Sequence, residues 1–108
     1  MHIVITGANR GIGQALLARY RAAGHNVTGT SRSGADDLTH LDVTDPAESE
    51  AVFMAVEDDL GEVDTLILNA GDYDPMTLDE FDPALFRRLA EVNYLGAVNG
   101  IGAALGPM

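Results

Sequence analysis

The chain contains no lysine and no cysteine. Its 6 basic residues are all arginine, they face 17 acidic residues, and the formal net charge is −11. Without cysteine there can be no disulfide, thiolate metal site or cysteine nucleophile, and a reducing, cytoplasmic location is expected. The negative charge disfavours nucleic acid and membrane lipid as partners, because both carry negative charge themselves.

Long apolar runs and metal-ligand spacings are also missing. No run is long enough to span a membrane, and the start of the chain is not expected to be a signal peptide. His2, His25 and His40 show no ligand spacing, so no metal site is predicted. Two interpretations of the acidity stay open: solvated charged faces on an ordinary protein, or adaptation to high salt, which screens charge repulsion.

The sequence does contain an alternation of short β-branched runs and helical periodicity. Strands are predicted for residues 2–6, 26–31, 39–43 and 63–68, and helices for residues 11–23, 46–60 and 83–105. This alternation predicts an α/β fold with a doubly wound parallel sheet of the Rossmann type, in the strand order 3-2-1-4. We interpret residues 1–108 as one unit, the first half of such a fold.

Helix starts are marked by capping patterns. Asp45 as N-cap, Pro46 at the first helical position and Glu48 reaching back predict a capping box. Thr77 and Glu80 have the spacing of a second one, and Asp82-Pro83 restarts the last helix.

Turn residues separate these elements. Gly24 and Gly61 predict helix ends. Residues 32–38, with Gly34 and the pair Asp36-Asp37, predict a turn.

Each predicted helix has an apolar face. The residues expected on these faces are Ile12, Leu16, Tyr20 and Ala23; Val52, Ala55, Val56 and Leu60; and Phe86, Leu89 and Val92 with Asn93. Gly96, Gly100 and Gly102 either weaken the end of the last helix or give it a smooth face for close packing. The sequence leaves both possibilities open.

A glycine-rich turn, residues 6–13 (TGANRGIG), joins the first strand to the first helix. Gly7 can adopt the positive φ that a tight turn needs, Gly11 lets a pyrophosphate approach, and Gly13 lets the helix pack on the sheet. The helix N-terminus offers N–H groups to the phosphates. This context predicts dinucleotide binding, and the lack of a following Gly-Lys-Ser/Thr excludes a P-loop NTPase.

The chain resembles the ordinary branch of the short-chain dehydrogenase/reductases. Residues 6–13 match the family pattern TGxxxGIG, and residues 68–71 (LNAG) are similar to its NNAG motif. Leu41-Asp42-Val43 resembles its adenine-contacting segment, and Val92-Asn93 resembles a pair whose Asn belongs to the catalytic tetrad. The four motifs occur in the family's order and cover almost the whole chain.

The resemblance implies an oxidoreductase that transfers hydride between a nicotinamide cofactor and a carbonyl or alcohol of a small-molecule substrate. It implies a catalytic role for Asn93. The cofactor-binding residues that it implies are Gly7, Asn9, Arg10, Gly11, Ile12, Gly13, Ser31, Arg32, Asp42, Val43, Asn69, Ala70 and Gly71. Asp42 would accept from the adenine amine and the Val43 N–H would donate to the ring, although a turn or cap role for Asp42 and a structural role for Asn69 stay open.

The end of the second strand bears on the choice of cofactor. An acidic residue there would bind the ribose and repel a 2′-phosphate. Here Ser31 is neutral, Arg32 follows it, and Arg10 lies in the glycine turn, so two guanidinium groups are available for a phosphate. NADP(H) is therefore expected over NAD(H), unless Arg32 is a solvated loop charge and Arg10 only covers the adenine.

Of the residues that would perform the family's chemistry, only Asn93 is expected within residues 1–108. The family uses a Ser and a Tyr whose pKa is lowered by a Lys four positions later. The residues four positions after Tyr20, Tyr73 and Tyr94 are Gly24, Thr77 and Val98. These residues alone are expected to be inactive, as the cofactor-binding half of a larger enzyme; the alternatives are a non-catalytic dinucleotide-binding or interaction module, and a fragment that neither binds nor folds alone.

Two further expectations concern surfaces. Residues 63–68 would form an apolar strand at a sheet edge, which predicts a homo-oligomer formed through that edge or by exchange of elements. Asp72 and Asp74 either line a substrate pocket or are solvated loop acids.

Overall fold

The four strands form one parallel sheet in the order β3-β2-β1-β4. This computed structural model describes residues 1–34 and 37–106, so Asp36 of the predicted turn lies outside the described residues. In chain order the strands are β1 (His2–Ile5), β2 (Asn26–Ser31), β3 (Thr39–His40) and β4 (Thr65–Ile67). The predicted fold class and strand order are confirmed.

The helices lie where the sequence predicts them. They are α1 (Gly11–Ala22), α2 (Pro46–Leu60), α3 (Pro83–Ala90) and α4 (Gly96–Leu105). A π-helical segment, Glu91–Leu95, joins α3 to α4 without a break, and a 3-10 turn, Leu78–Glu80, precedes α3. In the described part of the chain, every helix is too short or too polar to cross a bilayer.

Strand β1 ends one residue before the predicted end, at Ile5, and the two edge strands are shorter still than predicted. The predicted strand 39–43 ends at His40. The Leu41 N–H still donates to the Ser31 carbonyl (2.9 Å), but the strand cannot continue because the chain turns away at Asp42. The predicted strand 63–68 contracts to Thr65–Ile67. Both sit at the edges of the sheet, where only one neighbour supports the strand.

The capping predictions have different outcomes. The Asp45 carboxylate accepts from the Glu48 N–H (3.1 Å) and Pro46 occupies the first helical position, as predicted. The Glu48 carboxylate, however, accepts from the Asp42 N–H and not from Asp45. The capping box at Thr77 is wrong, because the Thr77 side chain makes no capping hydrogen bond and only a 3-10 turn follows.

The core lies on both faces of the sheet, because alternate side chains of β1 point to opposite faces. On one face, Val4 packs with residues of α2 and α4, including Phe53, Val56 and Ala103. On the other face, Ile3 and Ile5 pack with Leu17 of α1 and with Val27. All four residues of β1 are buried, as expected for the central strand of a doubly wound sheet.

Several predicted helix faces need correction. The residues that lie outside the core are Ile12 (72% exposed), Ala23, Ala55, Leu60, Phe86 and Asn93. In α2 the buried residues are Ser49, Phe53 and Val56. Helical periodicity finds an apolar stripe, but which edge of the stripe meets the sheet depends on the packing angle, which the sequence does not encode locally.

The glycines of α4 give it a closely packed face. A Cβ on Gly96 would lie 2.7 Å from Val43 Cγ2, and one on Gly100 would lie 2.7 Å from Leu68 Cδ2, whereas Gly102 faces open space. Of the two possibilities for these glycines, close packing therefore holds at the first two. The close neighbours are a loop and the residue after β4, and not another helix.

The three histidines have separate environments. His2 is buried, and its ring nitrogens lie 2.9 Å from the Gly61 carbonyl and 2.8 Å from Thr28 Oγ1. His25 lies edge-on to Tyr20, and His40 pairs with Glu48.

We expect Phe53→Ala to lower the free energy of unfolding by about 3–5 kcal/mol, because Phe53 is 0% exposed and the smaller side chain would leave a cavity. The matched control is Met54→Ala, one position along the same helix and 64% exposed, which should change it by less than about 0.5 kcal/mol. Urea unfolding measures both. Equal effects of the two substitutions would contradict the described orientation of α2.

Candidate functional site

A cavity of about 520 Å³ opens at the carboxyl ends of the strands. Its walls come from the glycine-rich turn, the ends of β2 and β4, the segment after β3 and the π-helical segment. The lining residues are Gly7, Asn9, Arg10, Gly11, Ile12, Ser31, Arg32, Ser33, Leu41, Asp42, Val43, Asn69, Ala70, Gly71, Asp72 and Val92. This is where open α/β sheets bind ligands, and the volume suits an organic cofactor.

Every cofactor-binding residue expected from the sequence lines this cavity except Gly13. Asn93 also lies outside the lining. Four more residues line the cavity: Asp72, for which the sequence left a pocket-lining role open, Leu41 and Val92, which belong to the motifs without an expected binding role, and Ser33, which sequence reasoning missed. Ser33 directly follows an expected binding residue, so extending that assignment by one residue would have found it.

Two positions of the glycine-rich turn, Gly7 and Gly11, require glycine. Gly7 has φ of 66° and Gly11 has φ of 57°, which favour glycine. A Cβ on Gly7 would lie 2.7 Å from Ala70 Cα, so the turn touches the end of β4 directly. A Cβ on Gly11 would meet nothing within 4 Å, which leaves the backbone there open to a ligand.

Helix α1 presents its N-terminus to the cavity. Arg10 occupies the N-cap position without a side-chain hydrogen bond, and the first turn contains no acidic residue. The first N–H groups of a helix carry partial positive charge and need an acceptor from outside the helix. A pyrophosphate would fit here, since no carboxylate or hydroxyl of the cap takes its place.

Asn69 and Thr6 tie the ends of β1 and β4 together. Asn69 Nδ2 donates to the Gly7 carbonyl (3.0 Å), and Thr6 Oγ1 accepts from the N–H groups of Asn69 (3.1 Å) and Ala70 (3.0 Å). Gly13 completes the junction, because a Cβ there would overlap the Gly7 carbonyl oxygen. Gly13 thus shapes the site through packing alone.

The turn after β2 is held by Ser31. Its side chain is buried, and its Oγ accepts from the Gly34 N–H (3.0 Å) and lies 3.2 Å from Ser33 Oγ. Arg32 is exposed on the cavity wall and so is Arg10. Neither forms an ion pair within residues 1–34 and 37–106. The cavity therefore has two guanidinium groups beside a neutral strand end.

Asp42 is ionised at neutral pH. Hydrogen bonds from the Thr44 hydroxyl (2.7 Å) and N–H (3.0 Å), followed by the nearby charges of Arg32 and His40, hold the pKa of the Asp42 carboxyl below its ordinary 3.8, although burial opposes the shift. Both hydrogen bonds use Oδ1. Within the described residues Oδ2 has no donor, so it can accept from a ligand.

Asn93 lies in the π-helical segment and clamps the loop after β4. Its Oδ1 accepts from the Asp72 N–H (2.6 Å), and its Nδ2 donates to the Asp72 carbonyl (2.8 Å). Arg88 pairs with the carboxylates of Asp72 and Asp74. Asp72 therefore lines the cavity as a tethered residue, whereas Asp74 does not line it. π-helical turns often mark functional sites.

Comparison with known families agrees with this geometry. The model of the family described as short chain dehydrogenase matches residues 1–108. Among curated proteins, the chain is 37% identical over 99 residues to the 3-oxoacyl-[acyl-carrier-protein] reductase MabA of Mycobacterium tuberculosis, covering 88% of this chain and 40% of that protein. It is 40% identical over 80 residues to the 3-oxoacyl-[acyl-carrier-protein] reductase FabG of Escherichia coli, covering 63% and 33%.

Solved structures give the same result. The ligand-free aldohexose dehydrogenase of Thermoplasma acidophilum superposes with a TM-score of 0.88 at 27% identity, over 99% of this chain and 44% of that one. A short-chain dehydrogenase/reductase of Brucella melitensis gives 0.90 at 26% identity, over 99% and 51%. The chain thus spans less than half the length of the curated relatives that it matches.

The Asp42 carboxylate should make the native state pH-sensitive in acid. Since its native pKa is lowered from 3.8, its stabilising contribution is present above pH 3.8 and is lost as the pH falls through the native pKa. Asp42→Asn removes this contribution. The difference in free energy of unfolding between wild type and variant should therefore be largest near neutral pH and shrink as the pH falls below 3.8 in urea titrations. A difference that grows in acid would contradict this assignment.

Proposed function

Because the chain belongs to the short-chain dehydrogenase family, a family of oxidoreductases, we propose that it is the dinucleotide-binding part of an NADP(H)-dependent enzyme that transfers hydride between the nicotinamide and a carbonyl or alcohol substrate. The observation that carries the cofactor choice is the presence of Arg10 and Arg32 on the cavity wall beside neutral Ser31. A cytoplasmic location is part of this proposal.

The arginines favour the phosphorylated cofactor for an electrostatic reason. A 2′-phosphate brings close to two negative charges, which the other residues of a chain with net charge −11 would repel. Guanidinium groups bind phosphate oxygens through paired, charge-assisted hydrogen bonds. An acidic residue at the end of β2 would instead bind the free 2′-hydroxyl of NAD(H). Ser31 occupies that position and carries no negative charge that would repel a 2′-phosphate.

The rest of the cavity has a role for each part of a dinucleotide. The glycine-rich turn and the N-terminus of α1 bind the pyrophosphate, and Asp42 Oδ2 with the Val43 N–H binds the adenine. Asn69 holds the end of β4 against the turn. A bound nicotinamide supplies or accepts the hydride.

The substrate class follows from the chemistry of the relatives, which act on different compounds. Two are named as 3-oxoacyl-[acyl-carrier-protein] reductases and a structural neighbour as an aldohexose dehydrogenase. We therefore propose a substrate with a carbonyl or alcohol group and do not assign the rest of the substrate molecule. Residues 1–108 contain no Tyr-x-x-x-Lys, so we propose that they bind cofactor without turnover on their own and that the general acid belongs to further chain.

Reaction with substrate is the direct test. The protein from its native source should oxidise NADPH with a carbonyl substrate such as an acetoacetyl thioester, or reduce NADP⁺ with an alcohol substrate such as an aldose. Its intact mass should exceed that of residues 1–108, and the additional sequence should contain the Tyr and Lys. If the native protein instead has the mass of residues 1–108 and binds NADPH without turning over any such substrate, the enzymatic proposal is contradicted and a binding module is favoured.

We further propose that residues 1–108 on their own associate as a homo-oligomer. Strand β4 pairs with β1 alone in the described sheet, and its residues are half-buried, so its outer edge offers unpaired backbone groups. Light scattering on the purified 108-residue chain should give a mass of at least two chains. A monodisperse monomer would contradict this proposal.

Arg32→Ala should reduce the affinity for NADPH by roughly 10- to 100-fold, because one charge-assisted phosphate contact contributes about 1.5–3 kcal/mol. The affinity for NADH should change by less than about threefold, since NADH lacks the phosphate. Fluorescence titration measures both.

The matched control is Arg19→Ala, which removes the same charge from the last turn of α1, away from the cavity wall. It should leave both affinities nearly unchanged. Equal losses for NADPH and NADH in Arg32→Ala would show that Arg32 does not read the 2′-phosphate.

A further inference from the structure

The carboxylate of Glu48 bridges two residues on either side of buried Leu41. Its Oε1 accepts from the Asp42 N–H (3.1 Å) and lies 2.7 Å from His40 Nδ1. The Glu48 N–H also donates to Asp45, so the residue is fixed at the start of α2. One side chain therefore connects the end of β3, the cavity wall and the first turn of a helix.

This contact lies at the point where the sheet stops supporting the chain. The Leu41 N–H still donates to the carbonyl of Ser31, the last residue of β2, whereas the Asp42 N–H, the next along the chain, has no backbone acceptor within the described residues. A half-buried N–H without an acceptor is unfavourable. Glu48 provides that acceptor, and the Asp42 carbonyl in turn accepts from the Asp45 N–H (3.1 Å).

The neighbouring residue is held from the other side. Asn99 Nδ2 donates to the Val43 carbonyl (2.9 Å), and Gly96 allows Val43 to lie against α4. Within residues 1–34 and 37–106 the Val43 N–H has no hydrogen-bond partner, and neither does Asp42 Oδ2. The Val43 N–H and Asp42 Oδ2 are thus the donor and the acceptor that an adenine ring requires. Glu48 holds the backbone N–H of Asp42, between these two groups and the end of β3.

We propose that Glu48 is a positioning residue for the adenine end of the dinucleotide site, acting through the Asp42 N–H. This inference rests on the proposed cofactor-binding function. Glu48 itself does not line the cavity, so it affects the ligand only through the orientation of Asp42 and Val43. In this proposal the nicotinamide half lies toward Asn69 to Asp72, a part of the cavity lining that is tethered through Thr6 and Asn93 and has no hydrogen bond to Glu48 within the described residues.

The experiment divides the cofactor into its halves. Binding of NADPH, of 2′,5′-ADP as the adenine half and of reduced nicotinamide mononucleotide as the other half is measured by calorimetry. In Glu48→Ala, affinities for NADPH and 2′,5′-ADP should both fall by about tenfold, since a preorganising hydrogen bond is lost. The affinity for the nicotinamide half should stay within about twofold of wild type, since that half has separate tethers.

Three further variants separate positioning from a general effect. Glu48→Gln keeps an oxygen that can accept from the Asp42 N–H and should restore most of the adenine-half affinity. Glu48→Asp keeps the charge at the helix start but is too short to reach Asp42, and it should behave like Glu48→Ala. Glu50→Ala removes the same charge from an exposed position of α2 and should bind all three ligands like wild type.

The possible failures are distinguishable. If wild type binds neither NADPH nor 2′,5′-ADP, the proposed function fails and this inference fails with it. If wild type binds both and Glu48→Ala binds 2′,5′-ADP equally well, only the role of Glu48 is overturned. Equal losses for both cofactor halves would also overturn it, as would a failure of Glu48→Gln to bind better than Glu48→Asp.

Discussion

The contact between the Gly7 carbonyl and the Asn69 side chain joins the ends of the two strands on which the cavity depends. It is possible only because three backbone segments come unusually close: the glycine turn, the start of α1 at Gly13 and the end of β4 at Ala70. Side chains larger than hydrogen at Gly7 or Gly13 would separate them. The position of the helix N-terminus relative to the other strand ends follows from this junction, and so does the shape of the cavity.

The positive charges of this acidic chain include two that lie at the cavity. The chain as a whole is strongly acidic, yet the cavity lining includes Arg10, Arg32 and the N-terminus of α1, which no side chain caps. The Thr44 hydrogen bonds, and after them the nearby charge of Arg32, lower the pKa of the Asp42 carboxyl. An anionic ligand would therefore meet a local positive region on an otherwise acidic chain.

The sequence predicts those features that depend on local patterns. Strand order follows from the alternation of elements, and the cavity lining follows from motifs at strand ends, as with Asp42 and Asn69. The missed features depend on distant contacts. Whether Ile12 faces the core or the cavity is decided by how α1 lies on the sheet. The partner of Glu48 is decided by where β3 ends, which local propensity does not specify.

The π-helical segment at Glu91–Leu95 sets the rotational phase between α3 and α4. Each residue of an α-helix turns the chain by about 100°, so a π turn inserts a fixed angular offset into an otherwise continuous rod. That offset places Gly96 against Val43 and Gly100 against Leu68. In the history of this chain, such a segment would tolerate exchanges of residue type far better than insertions or deletions, because a change of length by one residue would turn a different face of α4 toward the sheet.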